Sequence, residues 1–449
     1  MDFNEAFQPT GGTTGRSLVL FAEGDAKAGM QAVQEAVGIQ VVAASGDESA
    51  PAAGGGILFE TLGVAVVDAP PDQVMQTSGN AAILAVEPER IVYALESAQL
   101  IHTKSNGNSA PPLSSAPPLP IARSSETGAR SADYLRGYRE AVLHLTDPLT
   151  GGEVAAAPGA LTAAVDESQA TWGLQVTKVV NCCRTGSGVR VAVLDTGFDL
   201  SHPDFEGRSV MTQSFIDGEE VQDGHGHGTH CIGTALGAKC PGVRPRYGVA
   251  HDAEIFAGKV LSNAGSGSDT GILAGIEWAI QNGCAVISMS LGAATRPGQA
   301  FSQVFERVAK RAQEQGTLII AAAGNESQRP GIVNPVGHPA NCPSIMAVAA
   351  MDVHGAVARF SNSGINPDGG QIDIAGPGVD VHSSWPLPTR YRRISGTSMA
   401  TPHVAGIAAL YAEADPSARG AALARALTGG AQRLELPSTD VGAGMVQAP

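Results

Sequence analysis

The 449-residue chain is too long for one small domain, and 43% hydrophobic residues can fill a large core, so a main domain with an accessory unit is expected. A formal net charge of −15 excludes the basic surface that phosphate backbones need, so nucleic acid is not a partner; the acidity serves solubility. No run of 18 apolar residues predicts a membrane span, and residues 1–5 show no signal peptide, which favours a cytoplasmic location with export by another route as the alternative.

In chain order, residues 1–16 are polar and Gly/Thr-rich, and read as a flexible tail. Residues 17–95 follow as a unit of their own. Apolar residues at 18–22 predict a strand, and 26–37 has helical spacing. Residues 39–44 and 57–68 predict strands, 70–77 a short helix, and 81–95 a final extended stretch. That order is the ferredoxin-like α+β pattern. Residues 96–166 form a linker, dominated by Ser, Pro and Asn over 104–124, with a short amphipathic helix within 128–145 and irregular chain over 148–166.

Residues 167–449 alternate strands with helices. Strands are expected at 189–195, 254–260, 285–291, 318–323, 345–350 and 372–375, and helices at 227–238, 269–282, 300–315, 398–413 and 416–427. Near-continuous apolar strands between helices predict an α/β, doubly wound, mostly parallel sheet with its site at the carboxyl strand ends. Six cysteines (Cys182, Cys183, Cys231, Cys240, Cys284 and Cys342) lack metal spacing and stand mostly in apolar contexts, so buried reduced thiols are expected.

Four segments carry candidate chemistry. Asp195-Thr196-Gly197 ends a buried strand, where a carboxylate needs a hydrogen-bonded partner; a turn aspartate is the plainer alternative. The histidines of His225-Gly226-His227-Gly228-Thr229-His230 do not have the zinc-helix spacing, and a helix starting near His227 brings that ring to the sheet edge facing Asp195. His225 reads as a solvent-side or packing residue and His230 as a core histidine. Ser398, in Gly396-Thr397-Ser398-Met399-Ala400, is a helix cap or a nucleophile at the positive end of a helix dipole. Asn325, after Ala322-Ala323-Gly324, closes a turn or donates to an oxyanion. Jointly, in the order Asp, His, amide, Ser, they point to acyl transfer.

These motifs, with Ser290-Leu291-Gly292 and Gly442-Ala443-Gly444, resemble the subtilase family of serine peptidases from about residue 172 to 447. The resemblance implies an endopeptidase with His227 as general base, Asp195 orienting it, Ser398 as nucleophile, and Asn325 in the oxyanion hole. It implies a polypeptide substrate held between Gly265-Ser266-Gly267 and Ser290-Leu291-Gly292, and an S1 pocket walled by Ala323, Gly324 and Gly337 that takes a large apolar residue before the scissile bond (P1). Residues 17–95 resemble the subtilisin propeptide, an intramolecular inhibitor, so a self-processing zymogen with autocleavage between Leu95 and Glu96 is expected. About 75 residues then intervene before the stretch matching the family's mature start at Thr171. No cofactor is required for catalysis. Asp204 matches a calcium-ligand position, but the segment matching the calcium loop, 237–248, contains Lys239, Arg244 and Arg246 and no asparagine or acid. An inactive binding protein and a sedolisin-type acid peptidase are the rival readings; the intact triad and His227 stand against them.

Overall fold

In the computed structural model, which describes residues 12–44, 51, 53–77, 79–95 and 165–449, the apolar run Leu18-Val19-Leu20-Phe21 lies in strand β1 (Thr13–Phe21). Helix α1 (Ala26–Val37), β2 (Val41–Ala43), β3 (Gly56–Phe59), β4 (Val64–Val67), a helical turn at Pro71–Val74 and β5 (Ile83–Ala94) follow. They form a sheet of order β5-β1-β4-β3-β2. Alternate residues of a strand point to opposite faces, which explains why the run is apolar throughout. Val19 and Phe21, with Leu58, Ala65 and Val67, pack with Val33 of α1 in one core. Leu18 and Leu20, with Phe59, Val64 and Val66, join a second and larger core that belongs to the rest of the chain.

Two expectations are corrected here. Residues 57–68 are not one strand but two, β3 and β4, because Gly63 takes φ of +60° and turns the chain between them. Strand β1 also begins at Thr13, inside the expected flexible tail, because Thr13 pairs with Arg90 of β5. Residues 1–11 and the expected linker and short helix up to residue 164 lie outside the described residues, as does Glu96.

The second part builds a seven-stranded parallel sheet. Its strands are β6 (Arg190–Asp195), β7 (Val210–Ser214), β8 (Glu254–Lys259), β10 (Val286–Met289), β12 (Leu318–Ala322), β13 (Met346–Met351) and β14 (Ile374–Pro377). The short strands β9 (Ser266–Ser268) and β11 (Leu291–Gly292) stand apart from that sheet, and β15 (Val381–Ser384) pairs with β16 (Tyr391–Ile394) as a separate antiparallel hairpin. Sheet order is β14-β13-β12-β10-β6-β8-β7, so the winding reverses at β6. The helices are α2 (His227–Leu236), α3 (Asp269–Gln281), α4 (Gln303–Glu314), α5 (Thr397–Ala414) and α6 (Ala421–Gly430). Val191 and Val193 of β6 share a core with Ile232 of α2 and Val404 and Ile407 of α5. Ala192 and Leu194 share the other with Ile272 and Ile276 of α3 and Val304 and Val308 of α4. Helices therefore cover both faces of a doubly wound α/β sheet. No helix among the described residues is long and apolar enough to cross a membrane.

The N-terminal sheet sits on α3 and α4 through the shared core, and two carboxylates of β5 reach the amino ends of those helices. Glu87 accepts hydrogen bonds from the Ser302 hydroxyl and Gln303 N–H, both at 2.6 Å, at the start of α4. Glu89 is buried and accepts from the Thr270 N–H at 3.0 Å in the first turn of α3, and pairs with Arg16 at 2.5 Å. Helix amino ends carry unsatisfied N–H groups and partial positive charge, so both contacts suit the helices.

Candidate active site

Strand β6 carries its last side chain, Asp195, to the carboxyl edge of the sheet where the winding reverses. The buried carboxylate accepts, through Oδ1, hydrogen bonds from the Thr196 N–H and from His227 Nδ1, each at 2.7 Å. His227 is the first residue of α2, and its neighbours set it there. The Asp223 carboxylate accepts from the N–H groups of His225, Gly226 and Thr229 and from the hydroxyls of Thr196 and Thr229. Gly226 takes φ of +108°, and a Cβ at Gly228 would strike the Gly197 carbonyl. Burial by itself would lower the proton affinity of His227. The Asp195 carboxylate outweighs that effect, assisted by Cys231, and holds the imidazole pKa well above its ordinary value. Nε2 is buried and has no hydrogen-bond partner among the described residues.

Ser398 is the second residue of α5. Pro402, four residues on, has no N–H to give to the Ser398 carbonyl. That oxygen accepts instead from the Ser290 hydroxyl at 2.8 Å and the Cys231 thiol at 3.6 Å, which pins the main chain of Ser398. Burial pushes the Cys231 thiol up to about 11, so it stays a protonated donor. The Ser398 hydroxyl donates to the Leu95 carbonyl at 2.6 Å, with the Ser290 carbonyl at 3.1 Å. Asn325 is oriented by its own amide oxygen, which accepts from the Thr397 N–H and hydroxyl, both at 2.9 Å. Its NH2 group therefore faces the Leu95 carbonyl, at 2.6 Å. A Cβ at Gly396 would come within 2.8 Å of the same oxygen, so glycine there leaves room for it.

The last residues of β5 run antiparallel between β9 and β11. Ile91, Val92 and Tyr93 pair with Ser268, Gly267 and Ser266, while Tyr93 and Ala94 pair with Gly292 and Leu291. The Ala94 N–H donates to the Gly265 carbonyl at 2.9 Å and the Leu95 N–H to the Ser290 carbonyl at 3.4 Å. Val92 and Leu95 are buried and Tyr93 between them is 43% exposed, so this strand offers side chains to the molecule at only some positions. A Cβ at Gly292 would stand 3.4 Å from Leu95, and the Gly337 N–H donates to the Ala323 carbonyl at 2.9 Å. The structure thus brings Asp195 and His227 together, and Ser398, Asn325 and both groove segments around the carbonyl of Leu95.

The remaining histidines and cysteines are accounted for separately. His225 is half-buried, edge-on to His227 at 6.3 Å. His230 is buried, donates to the Val381 carbonyl at 3.0 Å, and is pushed down to about 3, chiefly by burial. All six cysteines are free; Cys231, Cys284 and Cys342 are buried, whereas Cys183 and Cys240 are exposed, against the expectation of mostly buried thiols. Asp195, His227 and Cys231 are the one trio of metal-ligand types in reach of each other among the described residues. The Asp195–His227 hydrogen bond and the protonated thiol already commit them.

Asp204 does not fit a calcium ligand. Its carboxylate accepts from the Tyr247 hydroxyl at 2.7 Å, the Tyr391 hydroxyl at 2.9 Å and the Gly242 N–H at 2.9 Å, with the Arg390 guanidinium at 3.3 Å. Both oxygens are taken, and the positive charge beside them is the arginine.

A family model described as the subtilase family matches residues 186–445. Subtilisin DY of Bacillus licheniformis is 40% identical over 233 residues, 52% of this chain and 79% of its own length. Subtilisin Savinase of Lederbergia lenta is 42% identical over 251 residues, 55% of this chain and 85% of its own. Subtilisin E of Bacillus subtilis (strain 168) is 43% identical over 236 residues, which spans 58% of that relative. With more than half of its length matched to the family model and 40% identity to relatives largely covered by the match, the chain belongs to the subtilase family and is a subtilisin-like serine peptidase.

Proposed function

We propose that this enzyme is an endopeptidase acting through Ser398, His227 and Asp195, and that it is made as a zymogen blocked by its own residues 17–95. The observation that carries the reading is the Leu95 carbonyl. It accepts from Asn325 Nδ2 and the Ser398 hydroxyl, each at 2.6 Å, while residues 91–94 lie as a strand in the groove. Added strands are how proteases of this geometry hold polypeptide, through main-chain bonds that any sequence can supply.

In this reading His227 Nε2, which has no hydrogen-bond partner among the described residues, takes the hydroxyl proton as Ser398 Oγ adds to the carbonyl carbon. Asp195 holds the Nδ1–H and stabilises the imidazolium that forms. Asn325 Nδ2 and the Ser398 N–H donate to the oxyanion, whose charge is greatest when the addition is complete. His227 then returns the proton to the departing amine, leaving a Ser398 ester, and the same groups activate water to hydrolyse it. Buried Leu95 beside Gly292 supports preference for an apolar P1 residue. Catalysis needs no cofactor.

The test compares the wild-type chain with Ser398→Ala by intact mass and N-terminal sequencing. Wild type is expected to yield a chain beginning at Glu96, and Ser398→Ala to stay full length with a loss of kcat of about 10^6, the size known from subtilisin, a relative in this family. Self-cleavage in Ser398→Ala removes the triad, and a fully active chain still carrying residues 17–95 removes the zymogen.

A further inference from the structure

Asp269 is the first residue of α3, directly after groove strand β9, and its side chain is fully buried. Neither of its carboxylate oxygens is idle. Oδ1 accepts from His338 Nε2 at 2.9 Å, and Oδ2 accepts from the Arg90 main-chain N–H at 3.0 Å. His338 follows Gly337, and its own N–H donates to the Ala293 carbonyl at 2.8 Å, so the Asp269–His338 pair ties one side of the groove to the other. The Arg90 guanidinium lies 3.7 Å from Oδ2 and 3.5 Å from Glu87. Counting back from Leu95, Arg90 is the sixth residue before the bond that the groove aligns.

We propose that Asp269, braced by His338, is a specificity-determining residue that reads the sixth substrate residue, taking its main-chain N–H and favouring a cationic side chain there. This rests on the reading that Leu95 stands at the scissile position. A buried carboxylate is costly when it lacks partners. When β5 leaves, Oδ2 loses its N–H donor, and a substrate long enough to reach Asp269 restores it. Glu87 leaves with β5, so Asp269 is then the acid of this cluster that stays in the peptidase part. A cation in the position of Arg90 then meets a buried negative charge, and an anion there is repelled. The guanidinium in this structure is partly exposed, so the preference is modest and falls with salt.

The test uses the full-length chain after it has been allowed to activate, with fluorogenic peptides acetyl-X-Ile-Val-Tyr-Ala-Leu in which X is Arg, norleucine or Glu. Arginine is expected to give kcat/KM about five-fold above norleucine, and Glu about five-fold below, with the change in KM and kcat constant. Raising NaCl to about 1 M is expected to compress the series, and Asp269→Asn to abolish it. Equal kcat/KM for the three peptides on the unmodified chain overturns the inference, whether or not Asp269→Asn folds. The peptide Val-Tyr-Ala-Leu, which stops short of Asp269, separates the two readings. Its cleavage without any effect of X sinks the inference alone; failure to cleave it, by a chain that still digests protein, sinks the assignment of Leu95 and the inference with it.

Discussion

Asn325 shows how a single side chain can be aimed by the residue next to Ser398. Thr397 donates twice to its amide oxygen, so the NH2 has one direction left, toward the carbonyl in the groove. Asn325→Leu is expected to lower kcat by about 10^2 to 10^3 with little change in KM, a magnitude taken from subtilisin in this same family. It also strands the Thr397 N–H and hydroxyl, which costs about 1–3 kcal/mol of stability, so Tm should be followed beside kcat. A kcat within ten-fold of wild type removes the oxyanion role. Asp204 is the opposite case, a residue whose family match misleads. Its oxygens are filled by Tyr247, Tyr391, Gly242 and Arg390. Asp204→Ala is expected to cost about 1–3 kcal/mol, because it leaves the buried Tyr247 hydroxyl without an acceptor, and to cost the same with millimolar calcium or with chelator in thermal melts. A cost that appears only with calcium present contradicts the arginine cage. The triad candidates were legible because each stands at an element boundary marked by glycine. The Asp204 cage was not, since Tyr391 and Arg390 come to it from more than 180 residues away.

Elements were legible where packing is the same on both sides. Strands β10, β12 and β13 are wholly buried and read as short apolar runs between helices, so their expected bounds differ from the observed ones by one or two residues at most ends. Strand β7 was not expected, because an edge strand of Val, Met, Thr, Gln and Ser is half-exposed and lacks both alternation and an apolar run. The β15–β16 hairpin was missed because β16 carries Tyr391-Arg392-Arg393 and β15, though mostly buried, is polar after Val381, so neither gives an apolar run. Glu87 and Glu89 fall within the expected extended stretch 81–95, but nothing local reveals that each meets the start of a helix some 180 to 215 residues on. A cap contributes about 1 kcal/mol, so Glu87→Ala with Glu89→Ala is expected to weaken inhibition by residues 1–95 added in trans about 30-fold. The same double variant should activate faster within the full chain. Inhibition as tight as that of the unaltered segment shows that the shared apolar core alone holds the unit on α3 and α4.

At the scale of the molecule, the expected start of the peptidase part at residue 167 rests on the shift from the Ser/Pro-rich segment to alternating strands and helices, and the family model matches from residue 186. What the sequence could not say was what covers the second face of β1. Apolar residues on both faces require two covers, and α1 is only one of them; the other is α3 and α4, far along the chain. Burial on this scale also sets how the fold responds to acid. His230 and His403 are buried and neutral, pushed down to about 3 and about 4, mainly by burial. Unfolded, both bind protons near pH 6.5, so the unfolded state gains protons first and stability is lost as pH falls from 6.5 toward 4. Asp373 works the other way. Burial, against the Ala347 N–H, raises it to about 6, so the native state holds that proton, and its contribution is complete below pH 3.8 and lost as pH rises through 6. By pH 4 each histidine costs about 3 kcal/mol and Asp373 returns about 2, leaving a net loss of about 4 kcal/mol, a large share of a typical stability of about 5–15. The Ser398→Ala chain, which cannot digest itself, is the material for the measurement. Its urea midpoint is expected to fall steadily between pH 6.5 and 4, and less steeply when His403 is replaced by Gln. Asp373→Asn should raise the midpoint at pH 8 and leave it unchanged at pH 3.5. A midpoint that stays flat from pH 6.5 to 4 means that the buried histidines are not what makes this fold sensitive to acid.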